Sequence, residues 1–310
     1  MQARSARPAG NPLLARLRRA IIGVVATSED FGIDYDAPTG DPGLFGPGSV
    51  TWKMHADFPA MMSGGIAALM LQMLHPRALA GVVNHSGYRS DPLGRLRRTT
   101  MFVAATTYAP TADAHRLIAR VQRIHDRVHG TTDDGEPYSA RDPDLLRWVH
   151  CTEMASFLAG YQRYRQPRLS IAIQDQYFAE TRRIAEALGA TDLPASRAQM
   201  DAYFAAMQPA LRFDDRTRDT LAVLESMALP IPAAGFARRS FLGAGAVLLP
   251  HWARRLIPRT RRQRIIDQAA AQGLKRIAPL IRASMAEGVA MRSARRAGAT
   301  GAALTFDSQA

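Results

Sequence analysis

The sequence predicts an all-α protein with a single compact helical domain. Apolar residues recur along most of the 310 positions at spacings of three and four, while strand-like alternation is scarce. Hydrophobic residues make up 47% of the chain, which is ample for one large core. No internal repeat divides the sequence. We therefore expect an N-terminal extension and loop over residues 1–44, one helical domain over residues 45–292, and a disordered tail over residues 293–310.

The first hundred residues predict an amphipathic helix, a loop and two buried helices. The apolar run at residues 20–26 is too short for a typical secretion signal, so we expect an amphipathic helix there. Residues 29–50 are rich in Gly, Pro and Asp, which predicts an ordered loop. A helix over residues 65–75 follows a break at Ser63-Gly64-Gly65, and Pro76 begins the next helix, where its missing amide donor costs little.

Capping residues mark the helices of the remaining chain. Thr111 as N-cap and Gly130 after the last turn predict one helix, and Asp142 with Pro143 begins another that is apolar almost all round. Ser170 begins a further helix that ends near Gly189. Later helical segments follow, with breaks predicted at Gly243, Gly245 and Pro250.

The charge and cysteine content narrow the function classes. The net charge of +13 comes mostly from arginines spread over many helices, and aromatic residues are only 7% of the chain, so we expect no nucleic-acid partner. The lone Cys151 excludes an intramolecular disulfide and any cysteine-rich zinc site. No uninterrupted apolar stretch reaches 18 residues, the length of a spanning helix. We expect a cytoplasmic protein, with contact to a membrane surface as an open alternative and secretion less favoured.

His125 is the main candidate ligand for a metal. Ala114, Ile118, Val121, His125 and Val128 follow helical steps and form one apolar stripe, so the imidazole should face the interior. A neutral imidazole can offer one nitrogen to a metal, although a core histidine satisfied by a hydrogen bond gives the same pattern. His129 follows one turn later, but the glutamate of a zinc-hydrolase H-E-x-x-H motif is replaced by Asp126.

A second group of candidates lies in the stretch "GRLRRTTMF". Arg95 and Thr99 are four residues apart and share one helix face, with Arg98 next to it. Such a face suits an anionic or oxygen-rich ligand, although a surface arginine cluster has the same pattern. His150, on the helix predicted to be buried, must be hydrogen-bonded or a ligand.

Several common catalytic motifs are missing from the chain. We find no nucleophile elbow, no P-loop, no dinucleotide-binding glycine motif and no Glu-x-x-His pairs of a di-iron bundle. An inward histidine without carboxylate ligands indicates, if a metal is bound, haem or a single iron held by histidine.

Four segments together resemble a known family. "LQMLHPRALAGVVNHSGYRSDPLGRLRRTT", "VQRIHDRVHG", "PYSARDPDLLRWVHCT" and "DQYFAE" are similar to the family of the latex-clearing rubber oxygenases and the MpaB oxygenase of mycophenolate biosynthesis. The resemblance covers roughly residues 45–260. It implies an all-helical fold of the rubber-oxygenase type around haem b, and cleavage of a carbon–carbon double bond in an isoprenoid chain with O2.

The resemblance also implies roles for individual residues. His125 matches the proximal iron ligand, and Arg95 with Thr99 matches the Arg-x-x-x-Thr element on the distal side. Arg98 stands where the rubber oxygenases have a lysine that can occupy the distal position; since arginine stays protonated, a resting state closed in this way is not implied. His129 replaces an arginine, and the catalytic glutamate of the rubber enzymes has no match here, so rubber is not implied as the substrate.

With this resemblance, the sequence predicts a haem b-dependent oxygenase that acts with O2 on an apolar substrate. The expected catalytic residues are Arg95, Arg98 and Thr99. His125 is the expected iron ligand, and the expected cofactor contacts are His125, His129 and His150. Two alternatives stay open: a non-catalytic lipid- or isoprenoid-binding protein at a membrane surface, and a haem protein with peroxidase-like activity. The electron donor is not indicated.

Overall fold

The computed structural model describes residues 11–26, 31–231 and 234–306, and this part is helical apart from one short hairpin. The helices are α1 (Pro12–Val25), α2 (Val50–His55), α3 (Phe58–Gln72), α4 (Pro76–His85), α5 (Pro92–Tyr108), α6 (Thr111–His125), α7 (Pro143–Tyr164), α8 (Ile171–Leu188), α9 (Arg197–Met207), α10 (Asp215–Ser226), α11 (Ala234–Ala246), α12 (His251–Leu256), α13 (Arg261–Ser284) and α14 (Val289–Arg296). The strands are β1 (His129–Thr131) and β2 (Pro137–Ser139), which pair antiparallel. The predicted all-α fold is confirmed.

Helices α3 and α7 form the centre of the core and run antiparallel. They approach closely because both carry glycine at the crossing: a Cβ atom on Gly64 would lie 2.7 Å from the carbonyl oxygen of Ser156, and one on Gly160 would meet the carbonyl oxygen of Ala60. Around this pair, α8 packs on α7, and α11 packs on both α3 and α13. The predicted burial of α7 is confirmed.

Glycines inside α3 and α11 do not break these helices. The expected breaks at Ser63-Gly64-Gly65 and at Gly243 and Gly245 are wrong, since α3 begins at Phe58 and α11 runs to Ala246. A Cβ atom on Gly245 would lie 2.6 Å from Cγ2 of Ile66, so this glycine allows α11 to pack on α3. The small side chain is used for close helix packing rather than for a turn.

The ends of α6 also differ from the prediction. Pro110 rather than Thr111 is the N-cap residue, and the carboxylate of Asp41 accepts hydrogen bonds from both the backbone N–H and the hydroxyl of Thr111. The helix ends at His125 instead of near Gly130, which lies in β1. Gly130 faces Tyr138 in β2, and a Cβ atom there would lie 2.9 Å from the phenol oxygen. The glycine therefore permits the hairpin and does not end the helix.

Residues 293–306 are folded, so the prediction of a disordered tail from residue 293 is wrong for this part. The Ser293 hydroxyl donates to the carbonyl of Tyr108, and the Arg296 guanidinium donates to the carbonyls of Asp41 and Tyr35. Both side chains are buried. The segment is rich in Ala and Arg, but its order comes from partners far away in the sequence. Residues 307–310 lie outside the described part.

Within the described residues, no single helix has the length and apolar composition to cross a membrane; the pair α3 and α4 would meet both criteria only together, and it is bent by 104°.

Candidate functional site

Helices α5 and α6 follow each other directly in the chain and pack together as a helical hairpin. The hairpin packs on α1, α2, α8 and α14, and its contacts with α3, α4 and α7 are marginal. Five side chains of α3, α5 and α7 are only partly buried: Leu69, Gln72, Val103, Val149 and Glu153. His55 at the end of α2 is hydrogen-bonded to Tyr177 of α8.

His125 is the last residue of α6, at the open end of the hairpin. It continues the stripe of Ala114 and Ile118, which are buried. Its Nδ1 atom is buried without a hydrogen-bond partner among the described residues. Burial lowers the pKa of His125, and the guanidinium of Arg141 lowers it further, so the ring is neutral near pH 7. A neutral imidazole with an unused nitrogen is the form that can bind a metal.

Arg95 lies one turn into α5. By a helical rise of about 1.5 Å per residue, Arg95 and His125 are each roughly 20 Å from the connection between the two helices. The Arg95 guanidinium donates to the hydroxyl of Ser86, which follows α4. Burial lowers the pKa of Arg95, and the nearby charge of Arg98 adds to this effect.

Thr99 and Val103 continue the helical row of Arg95 along α5. The side chain of Thr99 is exposed, and Val103 packs on the central core. Arg98 lies outside this row, where it is exposed and 3.5 Å from the carboxylate of Asp91, the N-cap of α5. The structure thus places Arg95 and Thr99 on one face, as the spacing predicts, and Arg98 beside it.

The two other histidines with expected cofactor roles lie in different surroundings. His129 is exposed on β1, beyond the end of α6. His150 is buried on α7, and burial together with the charge of Arg182 on α8 lowers its pKa to about 4.

A polar network around His55 was missed by sequence reasoning. His55 Nδ1 lies 2.9 Å from the Thr107 hydroxyl, and His55 Nε2 lies 2.9 Å from the Tyr177 phenol. Since the Thr107 hydroxyl donates to the carbonyl of Val103, it accepts from Nδ1–H, and Nε2 then accepts from Tyr177. Burial lowers the pKa of His55 to about 3. The only sequence signal was His55 at the end of a short apolar helix and a tyrosine in "DQYFAE", and no spacing rule joins them.

A metal site of several protein ligands is not found in the described part of the chain, where no three His, Cys, Asp or Glu side chains cluster. An axial haem ligand is a single side chain and forms no such cluster. A separate pocket of about 190 Å³ lies on the outer side of α6, lined by Phe31, Ile33, Asp113, Arg116, Leu117, Arg120 and Arg123. It includes neither Arg95 nor His125.

Comparison with known proteins finds one family. The family model described as the ER-bound oxygenase mpaB/B′ and rubber oxygenase catalytic domain matches residues 52–283. No curated protein and no solved structure matches the chain. The matched range begins in α2 and ends in α13, so it contains α3, α7 and the α5–α6 hairpin with Arg95 and His125.

Proposed function

The chain belongs to the family of mpaB-type and rubber oxygenase catalytic domains, and from this premise we propose that it is a haem b-dependent oxygenase acting with O2 on an apolar, alkene-containing substrate, with isoprenoids in its range. The protein is an oxidoreductase of the oxygenase type by its family. Haem dependence and substrate are the parts we propose. The observation that supports haem most directly is the buried, unpartnered Nδ1 of His125.

The residues present fit a haem. His125 is neutral near pH 7, and its unused nitrogen would be able to hold a haem iron. Leu69, Val103 and Val149 are apolar and only partly buried, so their side chains would suit contact with a porphyrin or an alkene. Arg95 offers a fixed cation and several N–H donors at the open end of the same hairpin.

In this proposal, the candidate site residues have defined roles. His125 would hold the haem iron, Arg95 and Thr99 would donate hydrogen bonds to oxygen atoms of the reactants, and Arg98 lies beside them at the surface. Haem b, when bound, supplies the activation of O2. The apolar side chains of Leu69, Val103 and Val149 would contact the alkene. His150 and His129 stay predictions as cofactor contacts.

Absorption spectra of the purified protein test the proposal. We expect a Soret band, and we expect His125→Ala to reduce the haem content at least about tenfold because the axial bond is lost. His115→Ala is the matched control, since His115 is exposed on the same helix. Wild-type protein without a Soret band, or His125→Ala with unchanged haem content, would overturn the haem assignment.

Product analysis separates the oxygenase from a peroxidase-like protein. Incubation of a test alkene with the haem protein and O2 should give oxygenated products that carry the label of ¹⁸O2. Turnover that requires peroxide and proceeds without O2 would instead establish the peroxidase-like alternative.

A second candidate is a lipid-binding role at a membrane surface. The first two turns of α13 expose Arg261, Arg262 and Arg264 together with Ile265 and Ile266, which are 62% and 46% exposed. Exposed arginines next to exposed isoleucines suit an anionic lipid surface. Haem-free protein that binds anionic liposomes in a salt-dependent manner would favour this candidate over the oxygenase.

A further inference from the structure

The pocket of about 190 Å³ on the outer side of α6 has an uneven charge, and we call this space the α6 pocket. Successive turns of the helix contribute one carboxylate and three guanidinium groups to its lining: Asp113, Arg116, Arg120 and Arg123. At about 100° per residue, His125 lies about 140° from Arg120 around the helix. The α6 pocket is therefore separate from the face of α6 that carries the proposed iron ligand.

The ion pair of Asp113 and Arg116 builds the α6 pocket. The Arg116 guanidinium lies 2.5 Å from the Asp113 carboxylate. It also donates hydrogen bonds to the carbonyls of Phe31 and Gly32, at 3.0 and 3.3 Å. These contacts fasten the loop before α2 to the helix and place Phe31 and Ile33 in the lining. The charge of Arg116 is therefore matched within the protein.

The charge of Arg123 is not matched in this way. Its side chain is exposed, and it makes no hydrogen bond, ion pair or ring contact with any residue that the structure describes. Arg120 lies one turn away, and its guanidinium lies over the Phe31 ring at 4.6 Å. A guanidinium offers a planar fork of N–H donors that matches a carboxylate. Arg123, supported by the charge of Arg120, therefore favours an anion in the α6 pocket.

The rest of the lining is apolar. Leu117 is buried in a cluster with Ala105 of α5, and Phe31 and Ile33 pack against this cluster. The Phe31 ring and the Arg120 guanidinium together offer flat surfaces on which a planar group can stack. An inorganic anion would leave the apolar lining in contact with water, whereas an anion with an apolar body would cover it.

We propose that the α6 pocket is a binding site for a small carboxylate with a planar apolar body, such as an aromatic acid. Arg123 pairs with the carboxylate, and Arg120 adds positive charge. Phe31 and Ile33 contact the apolar body. Drug-sized ligands occupy pockets of roughly 300–1,000 Å³, and a cavity of about 150 Å³ holds benzene, so the ligand has about one ring. The site is independent of the proposed function, because it lies on another face of α6.

Matched probes separate the two halves of the site. Benzoate carries both charge and ring, benzamide only the ring, and acetate and inorganic phosphate only the charge. Their dissociation constants are measured by calorimetry near neutral pH on the full-length protein as purified. We expect benzoate to bind with a dissociation constant of about 1 mM or below. The other three probes should bind at least about tenfold more weakly, because each lacks one of the two interactions.

Two variants assign the halves to residues. Arg123→Gln should weaken benzoate binding at least about fivefold and leave benzamide unchanged, because only the charged contact is lost. Ile33→Ser should weaken benzoate at least about threefold and leave acetate unchanged, because only apolar contact is lost. Arg276→Gln is the matched control, since Arg276 is exposed on α13 and the change in net charge is the same. It should bind benzoate as the wild type does.

Four results would overturn the site. They are benzoate binding no tighter than that of acetate, benzamide binding as tight as that of benzoate, phosphate binding as tight as that of benzoate, and an unchanged benzoate affinity in Arg123→Gln. The outcome is distinguishable from that of the proposed function, since calorimetry with benzoate does not depend on iron. A haem-free protein whose benzoate binding requires Arg123 would retain this site and remove the haem assignment.

Discussion

At the scale of single residues, Asp41 shows how one carboxylate positions a distant element. Its side chain accepts hydrogen bonds from the N–H of Gly43 and from the N–H and hydroxyl of Thr111, the first residue of α6. Although partial burial raises the pKa of Asp41, these hydrogen bonds lower it below its usual value. The helix that carries His125 therefore begins on a cap that lies 70 residues earlier in the chain.

Asp41→Ala should destabilise the protein by about 1–2 kcal/mol, because the first turn of α6 loses its side-chain cap. Asp41→Asn keeps a hydrogen-bond acceptor, so its free energy of unfolding should fall clearly less. Urea denaturation of both variants measures the difference. A loss below about 0.3 kcal/mol in Asp41→Ala would show that water replaces this cap at little cost.

At the scale of elements, the contact between α3 and α7 depends on the absence of side chains. Gly160 sits against the backbone of Ala60, and Gly64 against that of Ser156 and Phe157. A close contact of two backbones leaves no flexible side chain that could move aside. These two helices also carry Leu69, Gln72, Val149 and Glu153, so the same contact sets the position of these side chains relative to one another.

Gly160→Ala should destabilise the protein by about 1–3 kcal/mol, since the added methyl group forces the two helices apart. Gly273→Ala on α13 is the matched control, because a Cβ atom there meets no atom within 4 Å. That variant should gain up to about 1 kcal/mol from helix propensity. Thermal unfolding of both proteins checks the pair, and equal melting temperatures would contradict the close-packing argument.

At the scale of the whole molecule, buried histidines should make stability depend on pH. Burial lowers the pKa of His55 to about 3 and, with nearby arginine charges, lowers those of His75 and His150 to about 4. Below about pH 6.5 the unfolded chain binds these protons before the folded protein does. The free energy of unfolding therefore falls as the pH drops from about 6.5 toward 4, by up to about 1.4 kcal/mol per histidine and pH unit.

Glu153 changes the free energy of unfolding with pH in the opposite direction. Because burial raises its pKa to about 7, the folded protein binds this proton first, and its contribution is lost as the pH rises from about 4.3 to 7. Three histidines outweigh one glutamate, so the net effect below about pH 6.5 is destabilisation by acid. Urea unfolding at about pH 5 and pH 6.5 measures it. His150→Gln should reduce the pH dependence by about one proton, and identical unfolding at both pH values would rule out the effect.

The sequence by itself determined the helical class and many helix boundaries. Pro76, Asp142 with Pro143, and Ser170 with Gly189 each act on the backbone within a few residues, so their meaning does not depend on the rest of the fold. The apolar stripe that includes His125 could be recognised for the same reason, because helical spacing is a local property of the sequence. The family resemblance from four short segments was confirmed by the match over residues 52–283.

Only the tertiary structure decided which residues meet. It placed Gly64 and Gly245 inside helices, since close packing on another element outweighs their low helix propensity. It ordered residues 293–306 through Tyr35 and Tyr108, and it joined His55 to Thr107 and Tyr177. These contacts join residues from about 50 to more than 250 positions apart. Local patterns carry no record of such distant partners, because the partners are chosen by how whole helices pack and by the need to satisfy every buried polar group.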